Sequence, residues 1–350
     1  MQYSPRFFNP PVFGGAPQPV APATPAAAER KPTGDRRDGL GYVYTPDIVL
    51  KVNIALATGR PLLISGPSGC GKSSLATNIA RYKRWRYYEF VVTSRTRARD
   101  LLWTFDTLRR LSDAEQGRLR QADTQAATAQ QTIAERANYI EPGALWWALD
   151  PASAARRGLP EPSPHVLPAR DTNKNDEANE PQAVVLIDEI DKADPDVPND
   201  LLVPLGSHEF RVDEIETDIR PLKTNPAAPI PLILITTNGE RELPKAFLRR
   251  CLVLPIGFPK EPTAKRDFLI QIAKRRFGDA APDVALYTAL ADLMDVRPPN
   301  TASAPLPSIA EFIDALHACF EFGVQPNRAD ANWCTIEAAT LWKPRDPTRG

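Results

Sequence analysis

Eight consecutive residues have the types and spacing that phosphate binding needs: Gly66-Pro67-Ser68-Gly69-Cys70-Gly71-Lys72-Ser73. The glycines let the backbone curl so that successive N–H groups point at phosphate oxygens. Lys72 can reach the outer phosphates of a nucleotide, and the Ser73 hydroxyl can bind Mg²⁺. An apolar run precedes the motif and a helix-like stretch opens at Ser74, which is the strand–loop–helix context that the pattern requires. The sequence therefore predicts nucleotide and Mg²⁺ binding by Gly66 to Ser74, rather than a chance glycine-rich turn.

Two acidic residues, Asp188 and Glu189, end a continuous apolar run over 183–187. Such a run is typical of a parallel strand covered on both faces, and ligands bind at the carboxyl ends of these strands. Phosphoryl transfer needs charge neutralisation and a positioned nucleophile. We therefore predict that Asp188 holds Mg²⁺, mostly through water, and that Glu189 polarises the attacking water. The alternative is a solvated acidic turn.

Asn238, Arg249 and Arg250 are the remaining candidates. Asn238 ends another buried run and could orient the attacking water, or it could turn the chain before Gly239. The two arginines end a short predicted helix, where cations are favoured by the helix dipole alone. The functional interpretation is that one of them reaches the outermost phosphate bound by a neighbouring subunit, because a guanidinium suits a transferring phosphoryl group.

The elements that position these residues alternate between strands and helices, which predicts a right-handed parallel α/β sheet. Residues 1–40 are rich in proline and alanine and predict a disordered tail with nothing to pack. Residues 41–259 then form the predicted nucleotide-binding domain, with an insertion over about 106–180. Within the insertion, small and apolar residues from Leu119 to Ile140 predict a helix, and 151–180 a surface loop. Residues 260–350 predict a small helical domain, in which Ser308 is the N-cap of a helix.

The charge balance, the apolar runs and the cysteine positions of the chain exclude some classes of function. The chain has 350 residues, with 43 basic and 43 acidic side chains. This balance argues against nucleic acid as a partner, because nucleic-acid binding favours a basic face. No apolar run approaches the roughly 20 residues of a membrane helix, and the N-terminus has no signal-peptide pattern. The four cysteines are far apart, so we expect a reduced, cytoplasmic protein without membrane association.

Taken together, the motifs resemble those of AAA+ ATPases, and most closely the MoxR-type branch. Besides the phosphate loop, the resemblance rests on these stretches: Asp188-Glu189-Ile190-Asp191-Lys192-Ala193, Thr236-Thr237-Asn238, Leu243 to Arg250, Asp100-Leu101-Leu102, Glu141 to Leu145 and Pro307 to Asp314. It implies a P-loop sheet sandwiched by helices and followed by a helical lid. It also implies ATP and Mg²⁺ as ligands, Asp188 and Glu189 as Walker B, Asn238 as sensor 1, and Arg250 as the arginine finger with Arg249 in reserve.

The resemblance further implies a homo-oligomeric, usually hexameric ring that remodels a protein client. A protein carrying a von Willebrand factor A domain is a common partner in this branch. One departure concerns sensor 2, a basic residue that often precedes the Pro-Ser of the lid, where this chain has Ala304-Pro305-Leu306. Arg297 is the substitute candidate. Two alternative functions stay open: a slowly hydrolysing, nucleotide-gated scaffold or switch, and a nucleic-acid-coupled AAA+ subunit.

A second nucleotide-like motif lies at Asn173-Lys174-Asn175-Asp176, which matches the N-K-x-D pattern that reads guanine in GTPases. It stands before the acidic strand, in a polar loop with no strand ahead of it. We interpret the match as chance.

Overall fold

The structure, a computed structural model, describes residues 7–13, 41–118, 136–164, 166–220, 229–278, 281–296 and 306–342. The β-strands are β1 (Leu62–Ser65), β2 (Arg86–Val91), β3 (Trp103–Phe105), β4 (Ile140–Pro142), β5 (Ala183–Asp188), β6 (Phe210–Val212), β7 (Thr217–Ile219), β8 (Leu232–Thr237) and β9 (Leu252–Pro255). The α-helices are α1 (Pro46–Thr58), α2 (Lys72–Lys83), α3 (Thr107–Arg118), α4 (Ala144–Leu149), α5 (Pro151–Ala155), α6 (Asp196–Asp200), α7 (Leu202–Ser207), α8 (Lys245–Arg250), α9 (Pro262–Phe277), α10 (Ala281–Leu293), α11 (Ile309–Phe322) and α12 (Ala331–Thr340). Among the described residues, no helix has the length and apolar character to cross a membrane.

Five strands form one sheet in the order β2-β5-β8-β1-β9. The strand β5 pairs in parallel with β2 and with β8. Every residue of β5 and β8 is buried. Their apolar runs are continuous because a strand covered on both faces has no side turned to water. The predicted parallel α/β sheet, followed by a helical region, is confirmed.

Two antiparallel two-stranded sheets lie outside this sheet, β3 with β4 and β6 with β7. The indole of Trp103 stacks on the ring of Phe210, with centroids 5.8 Å apart, and donates to Glu214 Oε2 at 2.9 Å. Ile140 was predicted to continue a helix, but it pairs with Phe105 in the sheet of β3 and β4, where its side chain is fully buried. Residues 119–135 of that predicted helix lie outside the described residues, and the predicted surface loop over 151–180 contains α5.

Contacts divide the chain into two compact units. The first comprises Met1–Leu50, Ile64–Asn78 and Leu254–Gly350, and the second comprises Lys51–Leu63 and Ile79–Val253. In the first unit, apolar residues of α9, α10, α11 and α12 share one core, which includes Phe312 and Leu316. The predicted domain boundaries remain predictions.

The N-terminal residues 7–13 differ from the expectation of a tail that packs against nothing. The side chain of Phe8 is fully buried and meets the ring of Tyr44 edge-on, with centroids 5.0 Å apart. The N–H of Phe13 donates to Tyr44 O at 2.7 Å, and the Phe13 ring contacts Phe268 of α9. Burial of the Phe8 ring and the contact between the Phe13 and Phe268 rings offset part of the conformational entropy that the segment loses when it orders. The remainder of the predicted tail lies outside the described residues.

The guanine-like motif has a structural role. The Asn175 amide is buried and donates to the backbone oxygens of Ala80 and Trp85, while the Asn173 side chain accepts from Tyr87 N and donates to Asn175 O. These bonds fasten the loop before β5 to the start of β2. The interpretation of the N-K-x-D match as chance fits this geometry, because both asparagine amides are used inside the fold.

Candidate nucleotide-binding and hydrolysis site

The phosphate loop connects β1 to α2, and the loop residues themselves belong to the first unit. Its backbone needs glycine at two places for reasons of space and conformation. Gly69 has φ 74°, and a Cβ there would lie 2.6 Å from Ser308 Oγ; a Cβ on Gly66 would lie 2.3 Å from Ile256 O. Real Cβ atoms do not approach other atoms that closely, so a side chain at either position would displace the loop. The loop is a tight cradle of the kind whose N–H groups bind phosphate oxygens.

Lys72 is the cation of this loop. Its side chain is buried, and its ammonium donates to the carbonyl oxygens of Gly66 and Pro67, each at 2.8 Å. The positive charge is therefore held over the loop that is predicted to carry phosphate. Burial raises the pKa of the neighbouring Cys70 thiol, although Lys72 opposes that rise. A neutral thiol adds no negative charge against a phosphate.

The helix α11 begins directly at the phosphate loop. The N–H of Ala310 donates to Gly69 O at 3.1 Å. Ser308 caps the helix as predicted: its hydroxyl accepts from Glu311 N, and the Glu311 carboxylate accepts from Ser308 N at 2.8 Å. This capping box satisfies the first turn and fixes the start of α11. The sensor 2 candidate Arg297 lies outside the described residues.

The acidic pair lies in the second unit, at the end of β5. Asp188 is buried, and its Oδ1 accepts from the Thr236 hydroxyl at 2.5 Å. The same hydroxyl oxygen accepts from Glu189 N at 2.8 Å. Thr236 belongs to β8, so one side chain ties both acids to the neighbouring strand. The polar side chain of Thr236 within an otherwise apolar, buried strand is the sequence signal that could have identified it as a site residue.

Both carboxylate oxygens of Glu189 have partners. Asn238 Nδ2 lies 3.5 Å from Oε1, and Lys192 Nζ lies 2.6 Å from Oε2. The hydrogen bond to Glu189 raises the pKa of Lys192. Asp191 Oδ2 accepts the N–H groups of Asn238 and Glu240 at 3.1 and 3.0 Å, which fixes the turn after β8. The structure places two of the predicted site residues, Glu189 and Asn238, side by side. The sequence gave no role to Lys192 or Asp191.

Arg249 and Arg250 end α8 in the second unit, and both are exposed. The guanidinium of Arg60, from the turn between α1 and β1, donates to the backbone oxygens at this helix end. The sequence gave no role to Arg60. The predicted site residues thus fall into two groups. Gly66 to Ser74 belong to the first unit, and Asp188, Glu189, Asn238, Arg249 and Arg250 belong to the second.

The family model described as AAA domain (dynein-related subfamily) matches residues 61–251, which is more than half of the chain. The chain belongs to this AAA family. The match covers the phosphate loop, the acidic pair and α8, and an AAA domain binds and hydrolyses nucleotide. The predicted AAA fold and ATPase activity are thereby confirmed.

Solved structures resemble this AAA ATPase at low sequence identity. A point mutant of Thermotoga maritima RuvB has a TM-score of 0.42 and 14% identity, covering 84% of this chain and 68% of that one. The Thermotoga maritima RuvB Holliday junction branch migration motor gives 0.37 and 16%, covering 83% and 66%. A putative ATPase from Cytophaga hutchinsonii gives 0.33 and 12%, covering 82% and 78%. Among curated proteins, no sequence match reaches significance.

Proposed function

We propose that this AAA ATPase is a MoxR-type enzyme that assembles into a homo-oligomeric, hexameric ring and remodels a protein client. The observation that carries the proposal is the exposure of the Arg249 and Arg250 side chains and their lack of partners among the described residues. Both are exposed, and among the described residues neither has a hydrogen-bonding or ion-pairing partner for its side chain. Two such cations at one helix end suit an anion supplied from outside the subunit, and the phosphates held by a second copy are such an anion.

The residues present fit ATP with Mg²⁺. The loop is a cradle that two Cβ atoms would fill, Lys72 supplies a buried cation, and Asp188 and Ser73 are oxygen donors of the kind that Mg²⁺ prefers. Bound Mg²⁺ would supply charge neutralisation on the phosphate oxygens. We propose that Gly66 to Ser74 bind the phosphates and that Asp188 and Ser73 hold the metal, with Thr236 fixing the Asp188 carboxylate.

In this proposal Glu189 takes the proton of the attacking water. Asn238 donates to one of its oxygens and Lys192 to the other, so the carboxylate is oriented while its remaining lone pairs stay available. Arg250, with Arg249 in reserve, would stabilise the phosphoryl group in the active site of a neighbouring subunit.

Residues 41–259 would be the nucleotide-binding domain and 260–350 the lid. The four free cysteines are compatible with a cytoplasmic location.

The engagement of both Glu189 oxygens favours a second candidate, a switch that hydrolyses ATP slowly and signals through its assembly state. Steady-state turnover separates the two functions. A remodelling enzyme turns over many ATP molecules per minute and is stimulated by its client, whereas a switch changes oligomeric state with nucleotide at low turnover. The zero net charge gives no support to a nucleic-acid-coupled role.

The test is capture of the client by an ATP-trapped variant. Glu189→Gln should keep ATP and retain the client, such as a protein with a von Willebrand factor A domain, during affinity purification in ATP. The matched control is Glu189→Gln combined with Lys72→Ala, which should not hold ATP. A protein retained by the first variant and not by the second supports remodelling. If both variants retain the same proteins, and nucleotide drives assembly of the wild type at negligible turnover, the remodelling function is wrong and the switch function takes its place.

A further inference from the structure

One guanidinium holds the end of the helix that carries the two candidate finger residues. Arg60 Nε donates to Arg250 O at 3.1 Å, and Arg60 Nη2 donates to Arg249 O and, at 3.4 Å, to Cys251 O. The three acceptors are consecutive backbone oxygens at the C-terminal end of α8. They lie about 190 residues from Arg60 in sequence, so no local pattern signals the contact.

The backbone around Arg60 fixes where its side chain begins. Pro61 follows it, and Pro61 O accepts from Leu252 N at 2.8 Å. Gly59 precedes it in a left-handed conformation with φ 67°. Pro61 restricts the backbone of Arg60 to extended conformations, since a residue before proline avoids the helical region. The Arg60 Cα therefore stands beside the end of α8.

The last carbonyls of a helix lack intrahelical partners and carry the negative end of the helix dipole. Cationic side chains near that end can turn back and donate hydrogen bonds to these oxygens. At α8 the nearest cations are Arg249 and Arg250 themselves, and self-capping would draw their side chains onto their own backbone. Arg60 occupies the carbonyls instead, and neither arginine makes a side-chain hydrogen bond within the described part of the chain.

Repulsion between like charges also keeps the Arg249 and Arg250 side chains away from the end of α8. Arg60, Arg249 and Arg250 are all exposed, and among the described residues no carboxylate forms an ion pair with any of them. Like charges at one helix end repel each other. The Arg60 guanidinium is held at the backbone by its hydrogen bonds, so repulsion favours conformations in which the other two guanidinium groups point away from it, towards solvent or a neighbouring subunit.

We infer that Arg60 is a positioning residue for the arginine finger. It caps α8 from outside the helix and leaves Arg249 and Arg250 free to meet the phosphates bound by a second copy of the chain. This inference rests on the proposed finger role of α8. Arg60 touches neither substrate nor reacting atoms and acts only through the residue that does.

A double-mutant cycle on the full chain tests the inference, with kcat and KM for ATP measured at a concentration where subunits are assembled. Arg60→Gln should lower kcat about 10- to 100-fold, the scale expected when a catalytic group is misplaced by about 1 Å. It should leave KM and ATP affinity unchanged. On an Arg250→Ala background the same substitution should cause no further loss, because residues that act as one unit are not additive. Arg60→Lys, which keeps the charge but not the fork, should fall between Gln and wild type.

Arg86→Ala is the control, because Arg86 also donates to a backbone oxygen, that of Pro181, at the start of β2. Its kcat should equal that of the wild type. Equal fractional losses from Arg60→Gln with and without Arg250 would overturn the positioning role, as would a wild-type kcat in both Arg60 variants. If Arg250→Ala alone lowers turnover, either result leaves the proposed finger standing. If neither Arg250→Ala nor Arg249→Ala lowers turnover, the finger itself is wrong and the role of Arg60 falls with it.

Discussion

Glu189 occupies a conformation that a non-glycine residue rarely adopts, with φ 62° and ψ 49°. A left-handed backbone costs such a residue about 1–2 kcal/mol, and the surrounding structure must hold it. Here the Glu189 N–H is bound by Thr236 and the carboxylate is bound by Asn238 and Lys192. Strain maintained at a residue with this many fixed contacts fits a residue placed for chemistry.

We therefore expect Glu189→Gln to bind ATP normally and to turn it over at least about 100-fold more slowly, the scale of lost general-base help. The amide keeps the size and much of the hydrogen bonding of the carboxylate but cannot accept the proton. Steady-state phosphate release and ATP affinity measure the two effects. Glu240→Gln, two residues beyond Asn238, is the matched control and should keep wild-type turnover. Wild-type turnover in Glu189→Gln would move the catalytic role elsewhere.

A second prediction at the residue scale concerns the part that Lys72 plays in ATP binding. Lys72→Ala should abolish tight ATP binding, because the outer phosphate charges lose their compensating cation. Lys83→Ala, at the other end of α2, removes a lysine that lies over the ring of Trp85 and should leave ATP affinity unchanged. Titration with a fluorescent ATP analogue compares the two. Equal affinities in Lys72→Ala and the wild type would contradict the phosphate-loop assignment.

At the scale of elements, the N-terminal segment 7–13 stabilises the region around the phosphate-loop helix. Tyr44, which meets Phe8, also donates from its hydroxyl to Asn78 Oδ1 of α2. Phe13 contacts α9 through Phe268. All of these residues belong to the first unit, so a segment that precedes Gly41 in sequence links α2 and α9.

Phe8→Ala should therefore destabilise the protein, by up to about 3–5 kcal/mol for a fully buried phenylalanine. The loss is smaller if the segment detaches without global unfolding. Phe322→Ala is the control, because that side chain is 72% exposed and its removal should change little. Thermal melting of both variants and the wild type measures whether the packing of Phe8 stabilises the protein. Identical melting temperatures for Phe8→Ala and the wild type would restore the expectation that the tail packs against nothing.

Sequence spacing predicted the elements whose signal lies in one contiguous stretch of sequence. The phosphate loop is a contiguous motif, β5 and β8 are contiguous apolar runs, and Ser308 with Glu311 is a contiguous capping box. The missed features depend on partners distant in sequence. Ile140 pairs with Phe105, and Arg60 finds the end of α8, because of tertiary contacts that no local periodicity records. Lys192 was missed for another reason: its i,i+3 spacing from Glu189 was visible but equally typical of a solvated turn.

At the scale of the whole molecule, the proposed role of the arginines at the end of α8 would make hydrolysis a property of an assembly. An arginine that serves a neighbour contributes only when that neighbour is present. Turnover per subunit should therefore rise with protein concentration as mass action populates the ring. Measuring phosphate release per subunit across a dilution series, beside the mass of the particle, tests this. Flat turnover across a series that dissociates the particle would mean that each subunit hydrolyses ATP alone.

Mixing two inactive variants distinguishes action between subunits from action within one. Arg250→Ala should keep ATP binding and lose about a factor of 10³ in turnover, as other arginine fingers do. Lys72→Ala should not bind ATP, yet it still presents Arg250. In mixed assemblies, an ATP-loaded Arg250→Ala subunit can receive the arginine of a Lys72→Ala neighbour, so part of the activity should return. Because recovery requires the two variants to be adjacent, it should be greatest near equal proportions and absent from either variant alone. A mixture that is shown to co-assemble and stays inactive at every ratio would exclude Arg250 as a residue that acts on its neighbour.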